Sequence, residues 1–158
     1  MNRGIRSCTA MTLEELDEAV VSNNIGMLPE YRALDNWMRC EVEPQVLRDM
    51  HGTFGRDGHA VELHKGAPFE QLLQYFRARI DQDDFPAAAD IRTEWPDKPP
   101  VVVLRMVKTG ELYLCDGEKR VLNACYHGER AIRAFVVHVD EDRDIVESFP
   151  VLPERTRS

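Results

Sequence analysis

Apolar and polar positions along this chain follow two periods, one helical and one of strands. Thr12 precedes Glu15 by three residues, the spacing of a capping box in which each side chain satisfies an orphan backbone donor. Leu13, Leu16, Ala19 and Val20 follow at helical spacing, so the pattern predicts a short amphipathic helix over Thr12–Val21, stopped by Ser22–Gly26. Residues 28–50 read as two short helices, with Pro44 in a first turn. His51–His59 carries three glycines and reads as a loop or tight hairpin, and Ala60–His64 as a short strand. Pro68 opens a helix whose Phe69, Leu72, Leu73, Phe76 and Ile80 share one face.

The stretch Asp81–Pro100 is polar and proline-bearing, a long surface connection. Val101–Val107 is apolar and β-branched, as a buried strand requires. Lys108-Thr109-Gly110 supplies a hairpin turn, and Glu111–Cys115 the returning strand. A helix follows over Glu118–His127 with Val121, Leu122, Ala124 and Cys125 as its buried stripe and Gly128 placed as a left-handed cap. Ala131–Val139 is a further strand. The order strand, helix, strand–hairpin–strand, helix, strand predicts an α+β fold, a small mixed sheet with helices.

Length and composition narrow the class. The chain has 158 residues, room for one domain and an extra segment. Its 43% hydrophobic and 30% charged residues are those of a globular protein, and no apolar run is long enough to span a bilayer. Met1–Ala10 lacks the apolar core of a secretory signal, so the expected location is the cytoplasm, with no membrane partner. The net charge of −8 argues against coating DNA, whose backbone is bound through a basic face. It is compatible with a small anion in one locally positive pocket. Cys8, Cys40, Cys115 and Cys125 show no metal-ligand spacing, and the last two read as buried small hydrophobes.

The candidate chemistry sits at Asp116-Gly117-Glu118-Lys119-Arg120, between a strand and a helix. The first N–H groups of a helix lack internal partners, and its dipole adds partial positive charge there. Gly117 permits close backbone approach to a ligand, while Lys119 and Arg120 add full charges. Together they form a candidate phosphate site. Asp116 is placed to orient a metal ion or a hydroxyl. The competing reading is a solvated Asp-Gly turn.

Pro100–Val139 resembles the core of the ParB/sulfiredoxin-like superfamily: a hairpin, a Gly-Glu-Lys-Arg motif at Gly117–Arg120, then Val121-Leu122-Asn123-Ala124 opening the helix, and a strand. The resemblance implies residues 59–142 as a nucleotide-binding core, 1–58 as an N-terminal helical extension and 143–158 as a tail. It implies a nucleoside triphosphate, ATP or CTP, with Mg2+ as cofactor. Sulfiredoxin chemistry is disfavoured, because Glu118 stands where that activity needs a cysteine. A partition role is disfavoured too: the proline- and arginine-bearing box is absent, and too few residues follow the last strand for a DNA-binding domain.

What the resemblance then implies is a nucleotide-binding protein, with a small-molecule phosphotransferase (a kinase) or an NTPase as its enzymatic form. Asp116 and Glu118 are the candidate catalytic residues, Asp116 also the candidate metal ligand. Gly117, Lys119, Arg120 and Lys65 are candidate phosphate contacts, and Glu62 and His64 candidate substrate-binding groups on the acceptor side. A non-catalytic nucleotide-sensing or regulatory module is the alternative, and a ParB-like nuclease the third. The nucleotide, the acceptor and the oligomeric state stay open.

Overall fold

A computed structural model of the chain describes residues 4–22, 37–50, 52 and 65–140. In chain order they form β1 (Ile5–Ala10), α1 (Leu13–Ser22), β2 (Trp37–Val42), a 3-10 turn (Pro44–Val46), β3 (Arg48–Asp49), α2 (Phe69–Asp81), α3 (Ala88–Arg92), β4 (Val101–Met106), β5 (Leu112–Asp116), α4 (Glu118–Tyr126) and β6 (Ile132–Val139). The fold is α+β, built on a six-stranded mixed sheet of order β1-β2-β6-β4-β5-β3. The central pair β4 and β6 is parallel, with Val101 opposite Ala134 and Met106 opposite Val139. The β4–β5 hairpin is antiparallel, as the Lys108–Gly110 turn requires.

Alternation along β4 explains the core. Val101 and Val103 face one side, against Phe69, Leu72, Phe76 and Ile80 of α2, Ile91 of α3, and Val121, Leu122 and Ala124 of α4. Val102, Leu104 and Met106 face the other, in a cluster with Trp37, Tyr113, Phe135, Met11 just before α1 and Leu16 within it. Both faces of β4 are thus dry, and five of its six residues are buried.

The predicted elements from Pro68 onward are present within a residue or two. Pro68 is the N-cap of α2, and all five residues of its predicted face are buried. Around Gly128, at φ +69°, the Gly128 N–H donates to the Cys125 carbonyl and the Glu129 N–H to that of Ala124, the bond pattern of a Schellman cap. The capping box also forms: Thr12 N–H to Glu15 Oε1 at 3.0 Å and Glu15 N–H to Thr12 Oγ1 at 3.1 Å. Leu16 is buried, but Leu13, predicted on the same face, is 63% exposed.

Three expectations need correction. Residues 1–58 are not a helical extension, because β1, β2 and β3 all belong to the one sheet and β2 pairs along its length with β6. The second half of 28–50 is strand, turn and strand rather than helix; Met38, Cys40 and Val42 alternate with Arg39 and Glu41 at the strand period, a signal that the helical reading passed over. The Asp81–Pro100 connection contains α3. The predicted strand Ala60–His64 lies outside the described residues.

Cys8 and Cys40 are joined as a disulfide across β1 and β2. Sequence spacing gave no sign of this pair, since a 32-residue separation becomes adjacency only through strand register. Cys115 and Cys125 are free and buried as predicted. Burial pushes both thiols up to about 12, with nearby acids adding to the effect.

Candidate functional site

β5 ends at Asp116, and α4 starts two residues later because Gly117 makes the turn at φ +113°. A Cβ at Gly117 would lie 2.7 Å from Val101 Cγ1 and 3.2 Å from Arg120 Cζ. The glycine is therefore required first by packing against β4. The sequence assigned this glycine to close backbone approach by a ligand; the neighbour that the fold supplies is Val101.

Arg120 turns back under the site. Its Nη1 donates to the carbonyls of Pro100 at 2.6 Å and Pro99 at 3.3 Å, and its Nη2 lies 3.4 Å from Asp116 Oδ2. Only 14% of the side chain is exposed. Burial pulls the guanidinium below its ordinary range, opposed by Asp116 and Glu118. Its visible contacts fasten the residues before β4 to the first turn of α4.

Lys119 is the outward cation of that turn. Its side chain is 62% exposed, and Nζ lies 3.8 Å from Asp90 Oδ2 on α3. Asp90, Thr93, Glu94, Trp95 and Lys119 line a cleft of about 400 Å³, a size that suits a small organic ligand. Trp95 is 38% exposed. None of the cleft's residues beyond Lys119 was singled out in the sequence, where they read as part of a polar connection.

Lys65 sits half-buried in the turn before α2. The Gly66 N–H donates to the Asp49 carbonyl, and Asp49 pairs with Leu114 in the parallel β3–β5 ladder. The turn that carries Lys65 thus lies beside the C-terminal end of β3, the end of the sheet at which Asp116 closes β5. Glu62 and His64 lie outside the described residues.

The site fits a magnesium-bound triphosphate in part. Asp116 keeps 35% of its side chain exposed. Among the described residues no group of three or more His, Cys, Asp or Glu side chains is placed to hold a metal. Magnesium needs no such cage, since it is commonly held by one or two carboxylates together with substrate phosphates.

The wall of the cleft rests on polar groups that sequence reasoning missed. Asn123, fully buried on α4, donates through Nδ2 to the carbonyls of Asp90, Ile91 and Thr93 at 3.1, 3.0 and 2.6 Å. Its Oδ1 lies 3.3 Å from Lys98 Nζ, which also donates to the Trp95 carbonyl at 2.7 Å and pairs with Glu129. An asparagine among apolar helix positions is the one signal the sequence offered.

Among the described residues no helix is long and apolar enough to cross a membrane. Comparison of the chain with protein-family models, with curated proteins and with solved structures gives no match.

Proposed function

We propose that this protein binds a nucleoside triphosphate, ATP or CTP, with magnesium. The first turn of α4 and Lys119 meet the phosphates, and the cleft beside Trp95 takes the nucleoside. The observation that carries the reading is Lys119: an exposed ammonium at a helix N-terminus, on the rim of a cleft of nucleoside size that contains an indole. Asp90 and Glu94 in that cleft would repel a bare polyanion, so the metal-bound form is the better fit. Asp116 is the residue to hold the ion, whose charge, when bound, offsets that of the phosphate oxygens.

Binding without chemistry, as a nucleotide-sensing module, is supported by Arg120. The arginine expected to face phosphate is engaged with the Pro99 and Pro100 carbonyls. A phosphotransferase or NTPase is the second reading; it rests on Asp116 and Glu118 flanking Gly117, and on Glu62 and His64 as acceptor-side groups. Lys65, at the same end of the sheet, is the proposed second phosphate contact. The proposed setting is the cytoplasm, with a nucleotide rather than DNA as partner. Cys8–Cys40 pulls the other way, because disulfides persist mainly in oxidising compartments.

A melting series with ATP, CTP, GTP and UTP, each with and without magnesium, tests the reading. A ligand that binds only the folded state raises Tm with its concentration. A magnesium-dependent rise with at least one nucleotide supports binding, and product analysis of the same samples separates the module from the enzyme. No shift with any of them removes the reading.

A further inference from the structure

The segment from Asp90 to Lys98 carries four of the five residues lining the cleft, yet it has little internal structure to hold it. α3 is five residues long, begins after Ala87 at φ +60° and has no side-chain cap at its start. So short a helix is not stable alone, and its last carbonyls lack helical partners. Those carbonyls are met from α4. Asn123 reaches Asp90, Ile91 and Thr93, and His127 Nε2 lies 3.2 Å from the Ile91 carbonyl. The far end of the segment is held by Lys98, whose side chain is 4% exposed and whose ammonium bonds the Trp95 carbonyl, Asn123 and Glu129. Arg133 of β6 donates to the Lys98 carbonyl at 2.8 Å.

Burying an ammonium is costly unless it is paired and hydrogen-bonded, and an apolar side chain of similar volume is often the more stabilising choice. What the polar set supplies is a fixed geometry, because each partner accepts only a narrow range of positions. Lys119 and Asn123 are one helical turn apart on α4, so the cation of the cleft and the clamp of its opposite wall share a rigid element.

We propose that Asn123 and Lys98, the latter paired with Glu129, are positioning residues that set the Asp90–Trp95 wall against Lys119 and thereby fix the affinity of the cleft for its ligand. The affinity part rests on the nucleotide reading above; the placement of the wall does not. Two readouts keep them apart. Trp37 is 1% exposed and Trp95 38%, so acrylamide quenching of tryptophan emission in the described fold reports Trp95 without any ligand.

Lys98→Met is expected to raise quenching by about twofold and to weaken magnesium–nucleotide binding roughly tenfold, while Lys98→Arg restores both toward wild type. Glu129→Ala, at a side chain 32% exposed, repeats the test should Lys98→Met fail to fold. Folded Lys98→Met or Glu129→Ala protein with wild-type quenching overturns the positioning role. Increased quenching with unchanged affinity overturns its link to the ligand. If wild type binds no nucleotide, the functional reading falls, and quenching alone decides whether the clamp places the wall.

Discussion

Gly117 and Val101 are in mutual contact: a Cβ on the glycine would stand 2.7 Å from Val101 Cγ1 and 3.1 Å from its Cβ. The turn into α4 is therefore shaped by a β-branched residue of β4, whose stiff side chain cannot yield. At φ +113° any side chain adds backbone strain as well. Gly117→Ala is expected to lower stability by about 2–4 kcal/mol. Val101→Ala in the same chain should recover part of the loss, read as coupling in a double-mutant cycle by denaturant melts. Strict additivity of the two changes would contradict the contact.

Arg120 and Lys119 separate structure from binding. Arg120→Ala removes three contacts of a largely buried guanidinium, and loss of such charged hydrogen bonds costs about 1.5–3 kcal/mol. Tm should fall clearly. Lys119→Ala, at an exposed side chain, should leave the unfolding midpoint near wild type. Equal destabilisation by both variants would refute this division of roles.

Asp90 pairs with Lys119 and, on the proposed reading, competes with ligand for it. The pair is exposed on both sides, so its loss matters little to stability. Asp90→Asn removes the competing charge and is expected to tighten nucleotide binding severalfold at low salt, the gain fading as ionic strength rises. Weaker binding in the variant would instead make Asp90 a ligand-holding group.

Cys8–Cys40 closes a loop of 32 residues' separation. Replacing both with alanine should cost about 2–4 kcal/mol under oxidising conditions. Under a dithiol reductant the variant and wild type should converge. A difference that survives reduction would assign the loss to packing alone.

The free thiols give an alkaline signature. Folded Cys115 and Cys125 are pushed up to about 12 by burial, while unfolded thiols ionise near 8.5. Because the folded values are raised, the unfolded state releases protons first. Stability should be constant on this account below about pH 8 and fall as pH rises through the window between the two values. Cys115→Ala/Cys125→Ala should flatten that slope; an unchanged slope would show that other groups produce it.

The legible parts of the sequence were those with long apolar periods or paired stop signals. α2 announced its face through five apolar residues, and α4 its end through Gly128. β1 has Ile5 as its one buried residue and so no apolar period to read. In β2 the alternation of Met38, Cys40 and Val42 with Arg39 and Glu41 is too brief to stand out from flanks that read as helix. α3 was hidden because one helical turn among prolines and acids has no period to read. At the site, the Asp116–Arg120 turn was visible as chemistry, but not the fate of each side chain. Arg120 and Lys119 are neighbours of like charge, and only the fold turns one inward to the Pro99 and Pro100 carbonyls and the other outward to the cleft. Asn123 and Lys98 carry partners 25 to 33 residues away, which local sequence cannot pair.

Calorimetric titration of wild type and Lys119→Ala with magnesium–ATP and magnesium–CTP tests the central claim most directly. The account predicts a single site in wild type for at least one of the two. It predicts roughly tenfold weaker binding in Lys119→Ala, the loss of one charge-assisted phosphate contact, at unchanged Tm. Absence of heat with either nucleotide at millimolar concentration, or equal affinity in the two proteins, would contradict it.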